Sequence, residues 1–135
     1  MTRQIDHIGI AVNDLEQALE FWDRQLGIRC AHIEELPERG VRVAMLPVGD
    51  TRIELLAPLG DKSEIAAALA KRGPGLHHLC LRSDDVDADL TSLAAAGVRL
   101  IDERGRPGAG GCRVGFVHPK GSGGVLLELS QPEPR

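Results

Sequence analysis

DHIGIAVNDLEQALEFWDRQLGIRC (residues 6–30) and HHLCLRSDDVDADLTSLAAAGVRL (residues 77–100) follow one pattern. His7 aligns with His78, Asp14 with Asp85, Leu15 with Val86 and Leu19 with Leu90. One gap later Gly27 meets Gly97, and Arg29 meets Arg99. RIELLAP (52–58) then resembles LLELSQP (126–132), which sets Glu54 against Glu128. Each half therefore carries a histidine on its opening segment and a glutamate on its closing one. Such repetition marks two copies of one supersecondary unit.

Local signals agree between the copies. IDHIGIAV alternates and is rich in β-branched residues, which predicts a strand. Asp14 is placed to cap a helix, with Gln17 where a capping-box partner belongs. Leu15, Leu19, Trp22 and Leu26 make one apolar stripe at helical spacing, and Gly27 suits a left-handed C-terminal cap. Strands are expected near 29–34, 41–48 and 51–56, with VGDT as a hairpin turn. The second copy predicts a strand at 76–82 and a helix capped by Asp85, with Val86, Leu90 and Leu93 facing inward. Gly97 ends that helix, and strands near 98–102, 112–118 and 124–130 follow. Between the copies, Ser63 opens a helix over EIAAALAKR that Gly73 and Pro74 terminate.

The expected fold is α+β: two tandem βαβββ modules forming a curved sheet around a cleft. One domain spans 1–135, with module one about 4–58, a linker helix about 62–73 and module two about 75–131.

Strand parity assigns the faces. Ile8, Ile10 and Val12 share one side of the first strand, and His7, Gly9 and Ala11 the other. His78 and Cys80 lie opposite Leu79 and Leu81. Glu54 lies opposite Ile53 and Leu55, and Glu128 opposite Leu127 and Leu129. All four repeated polar residues thus point away from the aliphatic side. A buried carboxylate without a partner is costly to desolvate, and two in one cleft repel. A divalent cation relieves both problems, and imidazole with carboxylate suits Zn, Mn, Fe, Co or Ni. His77 has the opposite parity, and His32 has no partner in the repeat.

Composition narrows the class. The net charge of −4 argues against broad nucleic-acid binding, which needs a basic face. Phe21, Trp22 and Phe116 are the only aromatics, so a site built on ring stacking is not expected. Three scattered cysteines, Cys30, Cys80 and Cys112, without a C-x-x-C pair point to buried free thiols in a reducing compartment. The N-terminus is too short and polar for a signal peptide, and no apolar run approaches the ~20 residues of a membrane span. A cytoplasmic protein is expected. GRPGAGGCRVGFVHPKGSGG (105–124) reads either as a hairpin with loops or as exposed N–H groups holding an anion with Arg106, Arg113 and Lys120. It is not a phosphate-binding G-x-x-x-x-G-K-[ST] loop.

From Ile5 to Leu129 the chain resembles the methylmalonyl-CoA epimerases of the vicinal-oxygen-chelate superfamily. IDHIGIAV with DLEQAL, and KRGPGLHHLCLRSDDVDA, mark the superfamily. LPERGVRVAMLPVGDTRIELLAPLG, and GAGG followed by HPK and GVLLEL, are more specific to the epimerases. The resemblance implies one divalent ion, often cobalt, on His7, His78 and Glu128. The position of Glu54 is a glutamine ligand in some members, so Glu54 is a possible fourth ligand. An acyl-CoA substrate and a homodimer are also implied, with His118 and Lys120 in the substrate-binding region. In some members a glutamate regarded as an acid/base group stands three residues after the glycine of PExG, where this chain has Val43. A carboxylate is therefore missing at 43 and present at 54. Glu54 and Glu128, one from each repeat, are the expected acid/base pair flanking the reacting C–H, with the ion as Lewis acid.

Three other readings fit the same fold. A glyoxalase I-like lyase would use four ligands, His, Glu, His, Glu. An iron dioxygenase would use two histidines and one carboxylate, although the chain has no Tyr. A drug-sequestering binding protein would need neither the metal ligands nor their repetition.

Overall fold

The computed structural model describes residues 4–133. The chain divides into two compact units: His7–His77, and the remaining described residues, 4–6 with 78–133.

In the first unit, β1 (Ile5–Ala11) runs parallel to β4 (Thr51–Pro58). β3 (Val41–Val48) is antiparallel to β4 and to β2 (His32–Leu36). The strand order is therefore β2-β3-β4-β1. β3 and β4 meet at Val48↔Thr51, so VGDT is the expected two-residue hairpin. Gly49 has φ 60°, and among the described residues no non-glycine has a positive φ. That combination suits a II′ turn rather than I′.

Asp14 caps α1 (Leu15–Leu19): its Oδ1 accepts the Gln17 N–H at 3.0 Å. The helix then widens into a π-helical segment, Glu20–Gln25, in which Leu26 N donates to Phe21 O at 2.8 Å. The wider turn shifts the apolar stripe out of phase. Leu15 and Leu19 are buried, but Leu26, expected on the same stripe, is 52% exposed. Leu15 and Leu19 pack with Val12, Ala44, Leu46, Leu55 and Ala57, and with the partly buried Ile10, Trp22 and Ile53. The helix-facing parity of β1 and β4 is thus as expected.

β2 begins later than the 29–34 expected. Asp23 Oδ2 accepts the Cys30 N–H at 3.0 Å, and Ile28 N donates to Trp22 O at 2.9 Å. Residues 28–30 are tied to the helix end before the ladder starts. α2 (Glu64–Arg72) is capped by Ser63, whose Oγ accepts from the N–H groups of Ile65 and Ala66. Gly73, at φ 76°, ends it.

In the second unit, β5 (Gly75–Arg82) is parallel to β8 (Leu127–Gln131). β7 (Arg113–Val117) is antiparallel to β8 and to the two-residue β6 (Arg106–Pro107). α3 (Val86–Ala95) starts at Asp85, whose Oδ1 accepts the Ala88 N–H at 3.1 Å. Val86 and Leu90 are fully buried against Leu129, with Leu81, Leu93 and Leu100 around them. Gly115 permits this contact: a Cβ there would lie 2.7 Å from Leu90 Cδ1.

The strand expected at 98–102 shrinks to one bridge, Leu100↔Val117. Ile101 N and Asp102 N both donate to Phe116 O, while the Asp102 carboxylate takes the Phe116 N–H at 2.9 Å. A side chain thus occupies the place of a ladder carbonyl and stops the pairing. β8 starts three residues later than expected because Gly123 and Gly124, at φ 77° and 111°, still belong to the preceding turn, where Gly124 N donates to Pro119 O. Cys80 is buried, but Cys30 and Cys112 are only partly so. The expectation of three buried thiols therefore holds for one. Among the described residues no helix is long and apolar enough to cross a membrane.

Candidate metal centre

In the first unit Glu54 lies in register with Gly9. His7, two residues before Gly9, shares that face. His7 Nε2 and Glu54 Oε2 are 2.5 Å apart, with both side chains 5% exposed. In the second unit Glu128 lies in register with Cys80, and His78 stands two residues before it. His78 Nε2 and Glu128 Oε1 are 2.9 Å apart, again with both side chains buried. The repeat seen in sequence is therefore a repeat of geometry: each unit buries one imidazole against one carboxylate at the same register.

Each pair satisfies part of its own desolvation cost through a charge-assisted contact. The atoms that meet, a ring nitrogen and a carboxylate oxygen, are those a borderline divalent cation would take as ligands. Each pair offers two of the donors that a metal of this class takes.

Residues beside the two pairs differ. Met45 stands opposite Glu54 on β3, and Phe116 stands opposite Glu128 on β7. Val43 is opposite Leu56, two residues from Met45 on the same face, and is fully buried. Val43, Met45 and Leu56 make an apolar surround for Glu54.

His118 and Lys120 occupy the turn after β7. His118 Nδ1 accepts the Lys120 N–H at 3.0 Å, and its own N–H donates to Arg99 O. Desolvation first, then the charges of Arg99 and Lys120, pull its pKa below the ordinary histidine value. Two of the three cations assigned to the glycine-rich segment have structural partners instead. Arg113 forms a two-pronged contact with Asp87, at 3.0 Å from Nε and 3.1 Å from Nη2. Arg106 Nε lies 3.3 Å from Asp102 Oδ1, and its guanidinium covers the Phe116 ring at 5.5 Å. His32 Nε2 faces Glu34 Oε1 at 3.2 Å on an exposed strand. Sequence reading gave no role to Asp102 or Phe116. The signal that could have found them is register: Phe116 faces Glu128 only once β7 and β8 are aligned.

Residues 6–116 match the profile of the Glyoxalase/Bleomycin resistance protein/Dioxygenase superfamily, whose fold the two repeated βαβββ units define. The human mitochondrial methylmalonyl-CoA epimerase is 42% identical over 129 residues, 95% of this chain and 73% of that one. The solved methylmalonyl-CoA epimerase of Mycobacterium tuberculosis is 45% identical, with a TM-score of 0.90 over 96% of this chain and 88% of that one. A methylmalonyl-CoA epimerase solved in complex with methylmalonyl-CoA and NH4+ is 40% identical, with a TM-score of 0.89 over 96% and 94%. The chain belongs to the methylmalonyl-CoA epimerase family of this superfamily and has the vicinal-oxygen-chelate fold.

Proposed function

We propose that the protein interconverts (R)- and (S)-methylmalonyl-CoA by removing and returning the proton at C2. The observation that carries the reading is the same buried His–Glu pair at the same register in both repeats. Relatives at 40–45% identity that bear this activity as their name support the substrate class. His7, His78 and Glu128 hold one divalent ion, with Glu54 as the candidate fourth ligand. Cobalt is favoured by the family resemblance, and Mn, Zn or Ni suit the same donors. When bound, the ion supplies Lewis acidity to the thioester oxygen, worth several kcal/mol of charge stabilisation.

The chain's own groups move the proton. Glu54 acts on one face of C2 and Glu128 on the other, one carboxylate from each repeat. Each takes the proton in one direction of the reaction and returns it in the other. Val43, Met45 and Leu56 keep water from Glu54. His118 and Lys120 bind the acyl-CoA away from the reacting carbon. The acting form is a homodimer in the cytoplasm.

Replacing Glu54 by Gln removes the base and leaves an amide oxygen that can still reach a metal. Measured together, metal content and deuterium uptake at C2 should show metal retained and exchange reduced by about 10²-fold or more. Loss of the metal would make Glu54 a ligand, and normal exchange would remove it from the mechanism. Glu54 also favours a second reading, since His, Glu, His, Glu is the ligand set of a glyoxalase I-like lyase. Turnover of a glutathione hemithioacetal in preference to methylmalonyl-CoA would select that reading.

A further inference from the structure

The residues opposite the two glutamates differ in stiffness. Met45 faces Glu54, and Phe116 faces Glu128. Methionine is unbranched and adapts to its surroundings, whereas a phenylalanine ring is flat and turns about only two side-chain bonds. The Phe116 ring meets the His78 ring nearly edge-on, at 77° with centroids 5.7 Å apart. In that geometry the positive edge of one ring meets the π face of the other.

Phe116 is itself held from two sides. Its N–H donates to Asp102 Oδ2 at 2.9 Å. The Arg106 guanidinium lies over its ring at 5.5 Å, and Arg106 Nε is bound to Asp102 at 3.3 Å. Asp102, Arg106 and Phe116 therefore close a small circuit whose one apolar member rests on His78. At the matching register position of the first unit stands Met45, a flexible thioether.

We infer that Phe116, clamped by Arg106 and Asp102, is a positioning residue for His78. It fixes the plane of that imidazole before an ion arrives. The second repeat then carries a ligand oriented in advance. This assignment rests on the reading of His78 as a ligand. It gives Arg106 a task the sequence did not suggest, as a brace for the ring rather than a site for an anion. Hydrogen-bonded partners that orient a ligating histidine contribute about 10–100-fold to metal affinity, and an edge-on ring contact, which is weaker, sets the expectation at the lower end of that range.

The test is Co(II) binding by the full chain, followed by the visible d–d band and by competition with a chelator. Measurements are made below the melting temperature of each metal-free variant. Phe116→Met, which installs the residue type of the first repeat, should weaken Co(II) by about 10-fold or more and alter the band. Arg106→Gln should move both in the same direction by less. Wild-type affinity and spectrum in both Phe116→Met and Arg106→Gln would overturn the inference, even if their melting temperatures fell. Should Phe116→Met fail to fold, Arg106→Gln carries the test, because that side chain is 30% exposed. Wild-type protein that takes up no Co(II) would overturn the ligand reading itself, and this inference with it.

Discussion

Glu54 and Val43 face the same side of one sheet on neighbouring strands, two register positions apart. A carboxylate at 43 would therefore enter the same apolar surround as Glu54. That proximity makes the acid/base function transferable between the two positions. Val43→Glu combined with Glu54→Gln should recover deuterium exchange at C2 by at least about 10-fold over Glu54→Gln alone. The double variant should also melt earlier, because position 43 is 2% exposed and a carboxylate there is costly to desolvate. Exchange no better than in the single variant, with metal still bound, would show that Glu54 acts from its own position only.

His118 is a second residue whose chemistry follows from one contact. Its Nδ1 accepts the Lys120 N–H, which only the unprotonated nitrogen can do. Desolvation, Arg99 and Lys120 lower its pKa. A histidine with a depressed folded pKa contributes stability that is present above its unfolded value and lost as pH falls through the folded one. An NMR titration should place His118 below the ~6.5 of a free histidine. A pKa at or above that value would contradict the contact with Lys120.

At the level of elements, each repeat is assembled by a helix pressed onto a strand pair, and the tolerances differ. α3 lies so close to β7 that a Cβ at Gly115 would sit 2.7 Å from Leu90 Cδ1 and 3.3 Å from Val86 Cγ1. Both side chains are fully buried and have no room to retreat. Gly115→Ala should therefore destabilise by about 1–3 kcal/mol, the usual range for overpacking. Denaturant unfolding reads this directly, and an unchanged midpoint would mean that α3 can shift. The π-helical segment after α1 shows the opposite tolerance: the helix absorbs a phase change and leaves Phe21 and Leu26 at the surface.

These elements also show what sequence can and cannot carry. Helix caps at Asp14, Ser63 and Asp85 were legible because a side-chain oxygen next to an apolar stripe has one favourable use. The His and Glu of each repeat were legible because strand parity is fixed by the backbone. The π-helical widening was not, since it leaves the residue spacing of an ordinary helix until packing selects otherwise. Nor was the loss of the strand near 98–102. It depends on Asp102 reaching the Phe116 N–H from 14 positions away in sequence. Phe116 likewise meets His78 only across 38 positions of sequence, a contact that no local spacing announces.

For the molecule as a whole, the duplicated chain is a chemical statement as well as an architectural one. Each half buries one imidazole against one carboxylate; in the proposed reaction each would supply one of the two proton carriers that inversion at carbon needs. If the two pairs served two separate ions, or none, the halves would be independent and the proposed reaction would lack its second face. Counting bound metal settles this most directly. Wild-type protein titrated with Co(II) should take up one ion per chain, and His7→Ala and His78→Ala should each abolish that uptake. Two ions per chain, or wild-type uptake by either variant, would contradict a single centre built from both repeats.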